Sequence, residues 1–128
     1  MIKLIDLPKI IDKRGNLTFV QKNVGIPFEI QRIFWTYDVA AGEVRGGHAY
    51  KKQNEVIGLI SGSADILFIY ENGEKQKISL NRPDKAVFVP AGVWRQLENF
   101  STNAVSIHFS DSSFDSYDYI RDLNTFIK

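Results

Sequence analysis

Short apolar runs recur about every ten residues along this 128-residue chain, and each is bounded by Gly, Pro, Asn or Asp. Short strands at this spacing, separated by turn residues, are typical of an all-β sandwich or barrel. The pair Asn72-Gly73 tolerates positive φ and predicts a tight hairpin between two of the strands. We predict strands near Ile2–Leu4, Leu17–Gln21, Ile30–Asp38, Gly47–Lys51, Asn54–Ser61, Ala64–Tyr70, Lys75–Leu80, Ala86–Val89, Trp94–Asn99 and Ala104–Ser110.

The tail from Ser116 to Lys128 is the one stretch whose apolar residues follow a helical period. Spacings of three and four place them on one face of a helix. We therefore predict a short C-terminal helix that closes one end of the barrel, presenting Tyr119, Ile120, Leu123, Phe126 and Ile127.

The composition indicates one globular domain over residues 1–128, since 44% of the residues are hydrophobic and no linker or repeat interrupts the chain. The 16 basic and 15 acidic side chains leave a net charge of +1. Such a balance gives no overall field for nucleic acid or an anionic membrane, so an anionic ligand requires a local cluster of cations.

The chain contains no cysteine, which excludes both disulfides and a thiolate metal site. The N-terminus MIKLIDLPKI has no apolar run followed by a cleavage site, and no segment approaches the roughly 20 apolar residues that span a bilayer. We expect a cytoplasmic protein that binds neither nucleic acid nor membrane.

The segment from Gly42 to Gly62 reads GEVRGGHAYKKQNEVIGLISG and carries the most specific spacing in the chain. It resembles the first cupin motif, in which a glycine, a His-x-His pair, a glutamate and a second glycine follow one another at fixed intervals. His48 and Glu55 keep their places, and Tyr50 stands where the second histidine is expected.

A second segment, from Asp84 to Asn99, resembles the second cupin motif. Pro90 and Gly92 keep their places, Asp84 replaces the glycine, and Arg95 replaces the ligand histidine. Two such motifs in order are more specific than either alone. They predict a double-stranded β-helix, the cupin or jelly-roll fold.

The changed positions argue against the metal that cupins commonly hold. Neutral imidazoles and a carboxylate donate lone pairs to a divalent metal. Arg95 has no lone pair to give, and its fixed charge opposes a cation in the same pocket. We predict no metal and no cofactor.

The remaining set, His48 with Tyr50, Glu55 and Arg95, suits proton transfer. A histidine can take and return a proton near neutral pH, while tyrosine and arginine can stabilise an oxyanion. We predict catalytic roles for His48, Tyr50 and Arg95 in proton abstraction next to a carbonyl. Outside such motifs, a histidine in a β protein is usually a packed core residue, and His108 has no motif around it.

The chain resembles a narrower family at five runs: DKRGNL (12–17), IPFEIQRIFW (26–35), RGGHAYKK (45–52), VPAGVW (89–94) and FDSYDYIRD (114–122). They are similar to the nucleotide-sugar 3,4-ketoisomerases of the FdtA/QdtA (WxcM-like) group. The similarity extends from Asp12 to Phe126.

The resemblance implies a metal-free homodimer that moves the keto group of a dTDP-4-keto-6-deoxyhexose from C4 to C3. The product would supply 3-amino-3,6-dideoxy sugars for surface polysaccharides such as the O-antigen of lipopolysaccharide. The resemblance also implies that His48 shuttles the proton. Residues at the Arg14 and Arg95 positions vary between family enzymes that give different C4 configurations, and arginine at both leaves that configuration open.

Substrate contacts are predicted at two kinds of residue. Arg14 and Arg45 each precede a glycine, and either could donate two hydrogen bonds to the diphosphate. Both could instead be solvated surface charges, and ligand contact is favoured for Arg45 more than for Arg14. Aromatic residues of a β protein mostly pack in the core. We expect one or two to stack on the thymine or pack on the sugar, and the predicted contacts are Trp35, Tyr37 and Trp94, with Glu55 either contacting substrate or anchoring Tyr50 or Arg95.

Two rival functions remain open from the residues. A changed second histidine is compatible with a sugar-nucleotide-binding cupin that has lost catalysis. The same proton chemistry also suits a sugar-nucleotide epimerase, which acts at carbons next to the carbonyl.

Overall fold

β-Strands make up nearly all the regular structure of the computed structural model, which describes residues 1–128. The chain forms twelve strands and one short α-helix, α1 (Leu123–Phe126). The strands are β1 (Lys3–Asp6), β2 (Lys9–Ile10), β3 (Leu17–Thr18), β4 (Arg32–Thr36), β5 (Arg45–Tyr50), β6 (Glu55–Ser61), β7 (Ala64–Ile69), β8 (Lys75–Leu80), β9 (Lys85–Val89), β10 (Trp94–Glu98), β11 (Val105–Ser110) and β12 (Tyr119–Ile120).

Two five-stranded antiparallel sheets face each other. The first has the order β1-β9-β6-β11-β4, and the second has the order β12-β5-β10-β7-β8. The hairpin β2-β3 stands apart from both. Neighbours in each sheet are mostly distant in sequence, as in a jelly-roll, and the predicted double-stranded β-helix fold is confirmed.

The main core lies between the sheets because side chains alternate along every strand. The first sheet contributes Ile57, Leu59, Val87 and Val89, all nearly inaccessible to solvent. The second sheet contributes residues that meet them from the opposite side: Ala64, Ile66, Phe68, Leu80 and Leu97.

Both outer faces are partly covered by the chain termini. Leu7 and Ile26 of the N-terminal region pack with Val56 and Phe109 against the first sheet. The C-terminal Phe126 packs with Ala49, Ile69 and Trp94 against the second. Each sheet is therefore packed on its inner face by the core and on part of its outer face by a terminal segment.

The predicted strands correspond to observed ones, with ends shifted by a few residues. The hairpin at Asn72-Gly73 is confirmed, since β7 and β8 pair antiparallel from Ala64↔Leu80 to Ile69↔Lys75. Gly73 has φ of 87° there, which explains the need for glycine in the turn. The two-residue strands β2 and β12 were not predicted.

The predicted short C-terminal helix is confirmed, but it occupies only part of the predicted stretch from Ser116 to Lys128. Ser116–Asp118 form a 3₁₀ turn, Tyr119–Ile120 form β12, and only Leu123–Phe126 are α-helical. Pairing of β12 with β5 overrides the local helical spacing. No helix of the structure has the length and apolar character needed to cross a membrane.

Candidate active site

A cavity of about 300 Å³ opens between the two sheets where β5 and β10 face β4 and β11. Its lining includes two histidines, two tyrosines and the arginines Arg45, Arg95 and Arg121, but no Asp or Glu. A larger cavity, of about 450 Å³, lies under the N-terminal region and is mostly apolar. The only acid lining that larger cavity, Asp84, is paired with Lys9 and Arg82, so the smaller cavity is the site of interest for proton chemistry.

Strand alternation places the predicted catalytic residues in the smaller cavity. On β5, His48 and Tyr50 point to the inner face and Ala49 to the outer one. Arg95 of β10 lies directly across the strand pair from His48, so their side chains emerge side by side on the same face.

A glycine makes room for the arginine. Gly46 has φ of 70°, and its carbonyl accepts a hydrogen bond from Nη1 of Arg95 at 2.5 Å. A side chain at position 46 would collide with that same guanidinium nitrogen. The register between β5 and β10 shifts between Arg95 and Leu97, so Gly46 also absorbs an irregularity in the sheet.

Glu55 holds Arg95 from below. Nε and Nη2 of Arg95 donate to the two carboxylate oxygens, each at 2.8 Å, in a bidentate pair that is almost fully buried. Burial alone would raise the pKa of Glu55, but the charge of Arg95 and the hydrogen bond from His108 outweigh burial and lower it. Burial likewise opposes the charged form of Arg95, and Glu55 outweighs it, raising the pKa of Arg95.

His108 extends this pair into a chain of four. Its Nδ1 lies 3.0 Å from Oε2 of Glu55, and its Nε2 lies 2.9 Å from Oγ of Ser106. Because an ionised carboxylate can only accept, Nδ1 carries the hydrogen and Nε2 accepts from the serine hydroxyl. Burial lowers the pKa of His108 and keeps it neutral, although Glu55 opposes the shift.

We call Ser106, His108, Glu55 and Arg95 the anchored chain. Its Ser–His–carboxylate connectivity is that of a nucleophilic triad, but Ser106 has no solvent exposure and does not line the cavity. The ring of His108 stacks on Phe34, with centroids 4.4 Å apart. The anchored chain is therefore not a nucleophilic triad, and its hydrogen bonds fix Arg95 and His108 in the cavity wall.

His48 differs from His108 because its buried Nε2 has no hydrogen-bond partner. Burial disfavours the charged imidazole, the guanidinium of Arg95 adds to this effect, and the pKa of His48 falls to about 3. The ring packs against Tyr50 and Tyr119, with centroids 4.7 and 4.8 Å away. His48 is therefore a neutral imidazole at pH 7, able to accept a proton.

Three residues form a second polar group, which we call the phenol cluster: Arg32, Tyr50 and Tyr119. Arg32 donates to both phenolic oxygens at 3.4 Å, and the two oxygens lie 3.5 Å apart. Arg32 has no carboxylate within salt-bridge distance, and its buried Nε has no partner. Burial raises the pKa of Tyr50, the charge of Glu55 adds to it, and Tyr50 stays protonated.

The donor set does not suit a metal of the kind that cupins commonly hold. No group of three or more His, Cys, Asp or Glu side chains is placed to bind an ion. Both oxygens of Glu55 are engaged by Arg95 and His108, and the Arg95 guanidinium occupies the position beside His48. Permanent positive charge there opposes a cation.

The structure brings five of the predicted site residues to the cavity wall: His48, Tyr50 and Arg95, with Arg45 and the exposed Trp35. Glu55 lies beneath the wall and contacts Arg95, one of the two anchoring partners considered for it.

The other three predicted residues do not line the cavity. Arg14 is exposed and forms a bidentate pair with Asp12. Tyr37 is 61% exposed beyond the end of β4. Trp94 points to the outer face, where it packs on Phe126 and its indole N–H donates to Gln96.

Four cavity or supporting residues were not predicted for the site: Arg32, His108, Tyr119 and Arg121. Arg32 could have been suspected, because a charged residue two positions before Phe34 shares its inward face. Tyr119 and Arg121 lay within the predicted helix, so their contact with β5 was not visible in the sequence. The cation of Arg121 lies 4.2 Å from the centroid of the Tyr119 ring.

Comparisons with known proteins agree with this geometry. The family model described as FdtA: WxcM-like, C-terminal matches residues 1–128. The TDP-4-oxo-6-deoxy-alpha-D-glucose-3,4-oxoisomerase of Aneurinibacillus thermoaerophilus is 34% identical over 126 residues, covering 98% of this chain and 90% of that protein.

Two solved structures are similar over nearly the whole chain. One is a histidine-to-asparagine mutant of the 3,4-ketoisomerase QdtA from Thermoanaerobacterium thermosaccharolyticum in complex with TDP-4-keto-6-deoxyglucose, with a TM-score of 0.94, 30% identity, and coverage of 98% of this chain and 91% of that one. The other is WlaRB, a TDP-quinovose 3,4-ketoisomerase from Campylobacter jejuni, with a TM-score of 0.90, 34% identity, and coverage of 98% and 96%. Because the family model spans every residue and these relatives match nearly the full length, the chain belongs to the FdtA, WxcM-like C-terminal family, on a cupin fold.

Proposed function

We propose that this protein is a 3,4-ketoisomerase that converts a TDP-4-keto-6-deoxyhexose to its 3-keto isomer. The observation that carries the proposal is His48, a neutral, unpartnered imidazole in a cavity lined by arginines and free of carboxylates. The names of the relatives support the reaction and the substrate class. A cationic cavity suits a nucleoside diphosphate despite the near-zero net charge of the chain.

The proposed reaction begins with the proton on C3, which is acidic because it lies next to the C4 carbonyl. His48 takes this proton, and an enediolate forms across C3 and C4. The same imidazole then returns a proton to C4. A pKa near 3 makes His48 a weak base in the free protein, so proton uptake depends on the negative charge that develops on the sugar.

Arg95 is proposed to act on both partners of this transfer. Burial lowers the pKa of His48, and the fixed charge of Arg95 beside it adds to this effect, so the resting imidazole is neutral. The same charge favours an enediolate forming in the cavity, in the manner of an oxyanion hole. Three of its N–H groups are committed to Glu55 and Gly46, which fixes its position before substrate arrives.

The diphosphate is proposed to bind at Arg45 and Arg121 on the cavity wall, with Trp35 packing on the nucleoside or the sugar. Both arginines lack a carboxylate partner within salt-bridge distance, unlike Arg14, which is paired with Asp12. Of the two arginines predicted for the diphosphate, Arg45 is therefore the stronger candidate.

A homodimer is also proposed. β4 is an edge strand of the first sheet, and Ile33 and Trp35 of this strand, with Tyr37 just past its end, are about half exposed or more. An open edge beside an apolar row favours pairing with a second copy. Sedimentation equilibrium of the chain and of Ile33→Glu tests this: a dimer that the substitution dissociates is expected, and a monomeric unaltered chain would contradict it.

The reaction is tested by incubating the protein with TDP-4-keto-6-deoxyglucose in deuterated water and following the sugar by NMR. Appearance of a 3-keto sugar is expected. Binding without exchange or conversion would instead indicate a sugar-nucleotide-binding cupin. Deuterium at C3 or C5 with the ketone still at C4 would indicate an epimerase.

A further inference from the structure

The reaction proposed above requires two proton transfers, and His48 accounts for only one of them. One proton leaves C3 and another arrives at C4, which a single imidazole can carry. A second proton must leave the C3 hydroxyl and arrive at the C4 oxygen, because the ketone and the hydroxyl exchange places. This oxygen-to-oxygen transfer needs a second proton-transfer group in the cavity.

Most polar side chains in the cavity cannot relay such a proton. Arg45, Arg95 and Arg121 stay protonated and have no acceptor. His108 lines the cavity, but Glu55 and Ser106 occupy both of its ring nitrogens. A phenol can both give and accept a hydrogen, and two phenols line the cavity wall.

We propose that the paired hydroxyls of Tyr50 and Tyr119 carry the proton from the C3 oxygen to the C4 oxygen. Their oxygens lie 3.5 Å apart, a separation comparable to that of two oxygens on neighbouring sugar carbons. Both rings pack against His48, so the hydroxyls and the carbon base border the same space.

The hydrogen inventory of the phenol cluster leaves one hydrogen for the substrate. Arg32 only donates, and it donates to both phenolic oxygens. Tyr50 donates to Tyr119, and no protein group accepts the hydroxyl hydrogen of Tyr119. Tyr119 is also the less buried of the two and lines the cavity, so its hydrogen is the one open to a bound substrate.

Charge around the pair favours a relay. The guanidinium of Arg32 has no ion-pair partner, so its charge is available to a phenolic oxygen that transiently loses its hydrogen. Arg121 adds a second cation over the Tyr119 ring. At rest the hydroxyl of Tyr50 stays protonated, since burial raises its pKa.

The transfers balance as follows. His48 takes the C3 proton, the C–H pair forms the C3=C4 bond, and the carbonyl π pair moves to the C4 oxygen, which takes the hydrogen of Tyr119. Tyr119 takes the hydrogen of Tyr50, and Tyr50 takes the hydrogen of the C3 hydroxyl. The C3 oxygen then forms the new carbonyl, C4 takes the proton from His48, and every side chain regains its starting state.

The test uses Tyr119→Phe and Tyr50→Phe, which remove one hydroxyl each and keep the ring. Tyr117→Phe is the matched control, because Tyr117 is 85% exposed and outside the cavity. Conversion of TDP-4-keto-6-deoxyglucose in deuterated water gives two rates, formation of the 3-keto sugar and deuterium uptake at C3 of unconverted substrate. Binding of TDP to each variant reports whether the cavity is intact.

Each relay variant is expected to lower kcat by about 10- to 100-fold with KM changed less than about threefold, as for loss of a proton-transfer group. In Tyr50→Phe, deuterium uptake at C3 should rise relative to product, since Tyr119 can still protonate the C4 oxygen while the C3 hydroxyl has lost its acceptor. A kcat within twofold of the unaltered chain in either variant would overturn the proposal, as would equal loss of exchange and conversion in Tyr50→Phe. If one variant fails to bind TDP, the other decides; failure of the unaltered chain to form any 3-keto sugar would overturn the proposed function and the relay with it.

Discussion

The anchored chain and the group formed by His48 with the phenol cluster lie side by side, yet they differ in how their polar atoms are satisfied. In the anchored chain, Arg95 fills both oxygens of Glu55, and His108 has a partner at each nitrogen. In the group of His48 and the phenol cluster, Nε2 of His48 and Nε of Arg32 are buried without a partner.

Buried polar groups are nearly always hydrogen-bonded, so the difference is informative. A fully satisfied network fixes geometry, and a partly satisfied one carries a free-energy cost that a ligand could remove. The anchored chain therefore fixes the charge of Arg95 at one position in the cavity wall, whereas His48 and Arg32 keep polar atoms that a ligand could bond. Substitutions in the two groups should therefore have different effects on turnover and stability.

The largest effect is expected for His48→Asn. Turnover of the keto sugar should fall by about 10³-fold or more, since the carbon base is removed. TDP binding, measured by calorimetry, should stay within about threefold because the arginines are untouched. Near-normal turnover would refute the assignment of His48.

Glu55→Ala should affect stability most. It leaves the Arg95 charge buried and uncompensated, which costs about 3–5 kcal/mol in the free energy of unfolding. Glu98→Ala is the matched control, because its pair with Lys77 is partly exposed and removal should cost less than about 1 kcal/mol. Urea denaturation of both variants measures the difference. Equal losses in the free energy of unfolding would contradict the importance of the buried pair between Glu55 and Arg95.

Acid should destabilise the fold between about pH 6.5 and pH 5. The chain has two histidines, and both have pKa values lowered on folding, so the unfolded state binds more protons in this range. Each can contribute at most about 1.4 kcal/mol per pH unit, and stability falls as pH falls. Unfolding free energies across this range should show a shallower slope for His48→Asn, and an unchanged slope would contradict the buried neutral state of His48.

Ser106→Ala should give the smallest effect. It leaves Nε2 of His108 without its donor, at a cost of about 1–3 kcal/mol in the free energy of unfolding. Turnover should change less than about threefold, since Ser106 does not line the cavity. Loss of turnover without loss of stability would show that Ser106 contributes to the reaction and not to the stability of the anchored chain.

Much of the fold and part of the site could be predicted from the sequence. The recurring strands and the spacing around His48, Glu55 and Arg95 are local patterns, and the structure brings these residues together. Alternation alone could also have separated Trp94 from the cavity, because it neighbours Arg95 and adjacent strand residues face opposite sides.

The phenol cluster could not be predicted in the same way. Tyr119 reaches Tyr50 only because β12 pairs with β5, a contact between residues far apart in sequence. The same tail carries apolar residues at helical spacing, and this local signal favoured a helix that the strand pairing overrides. Arg32 contacts both phenols across the two sheets, and such a long-range contact produces no periodic pattern in the sequence.

The buried imidazole of His48 is proposed to take hydrogen from C3 and return it to C4. This transfer can be followed in a single turnover in ordinary water, with substrate that carries deuterium at C3. Because His48 is only 6% exposed, part of the deuterium should appear at C4 of the 3-keto product before it exchanges with solvent. Product formed at the normal rate with no deuterium at C4, even at the earliest measurable conversion, would contradict it.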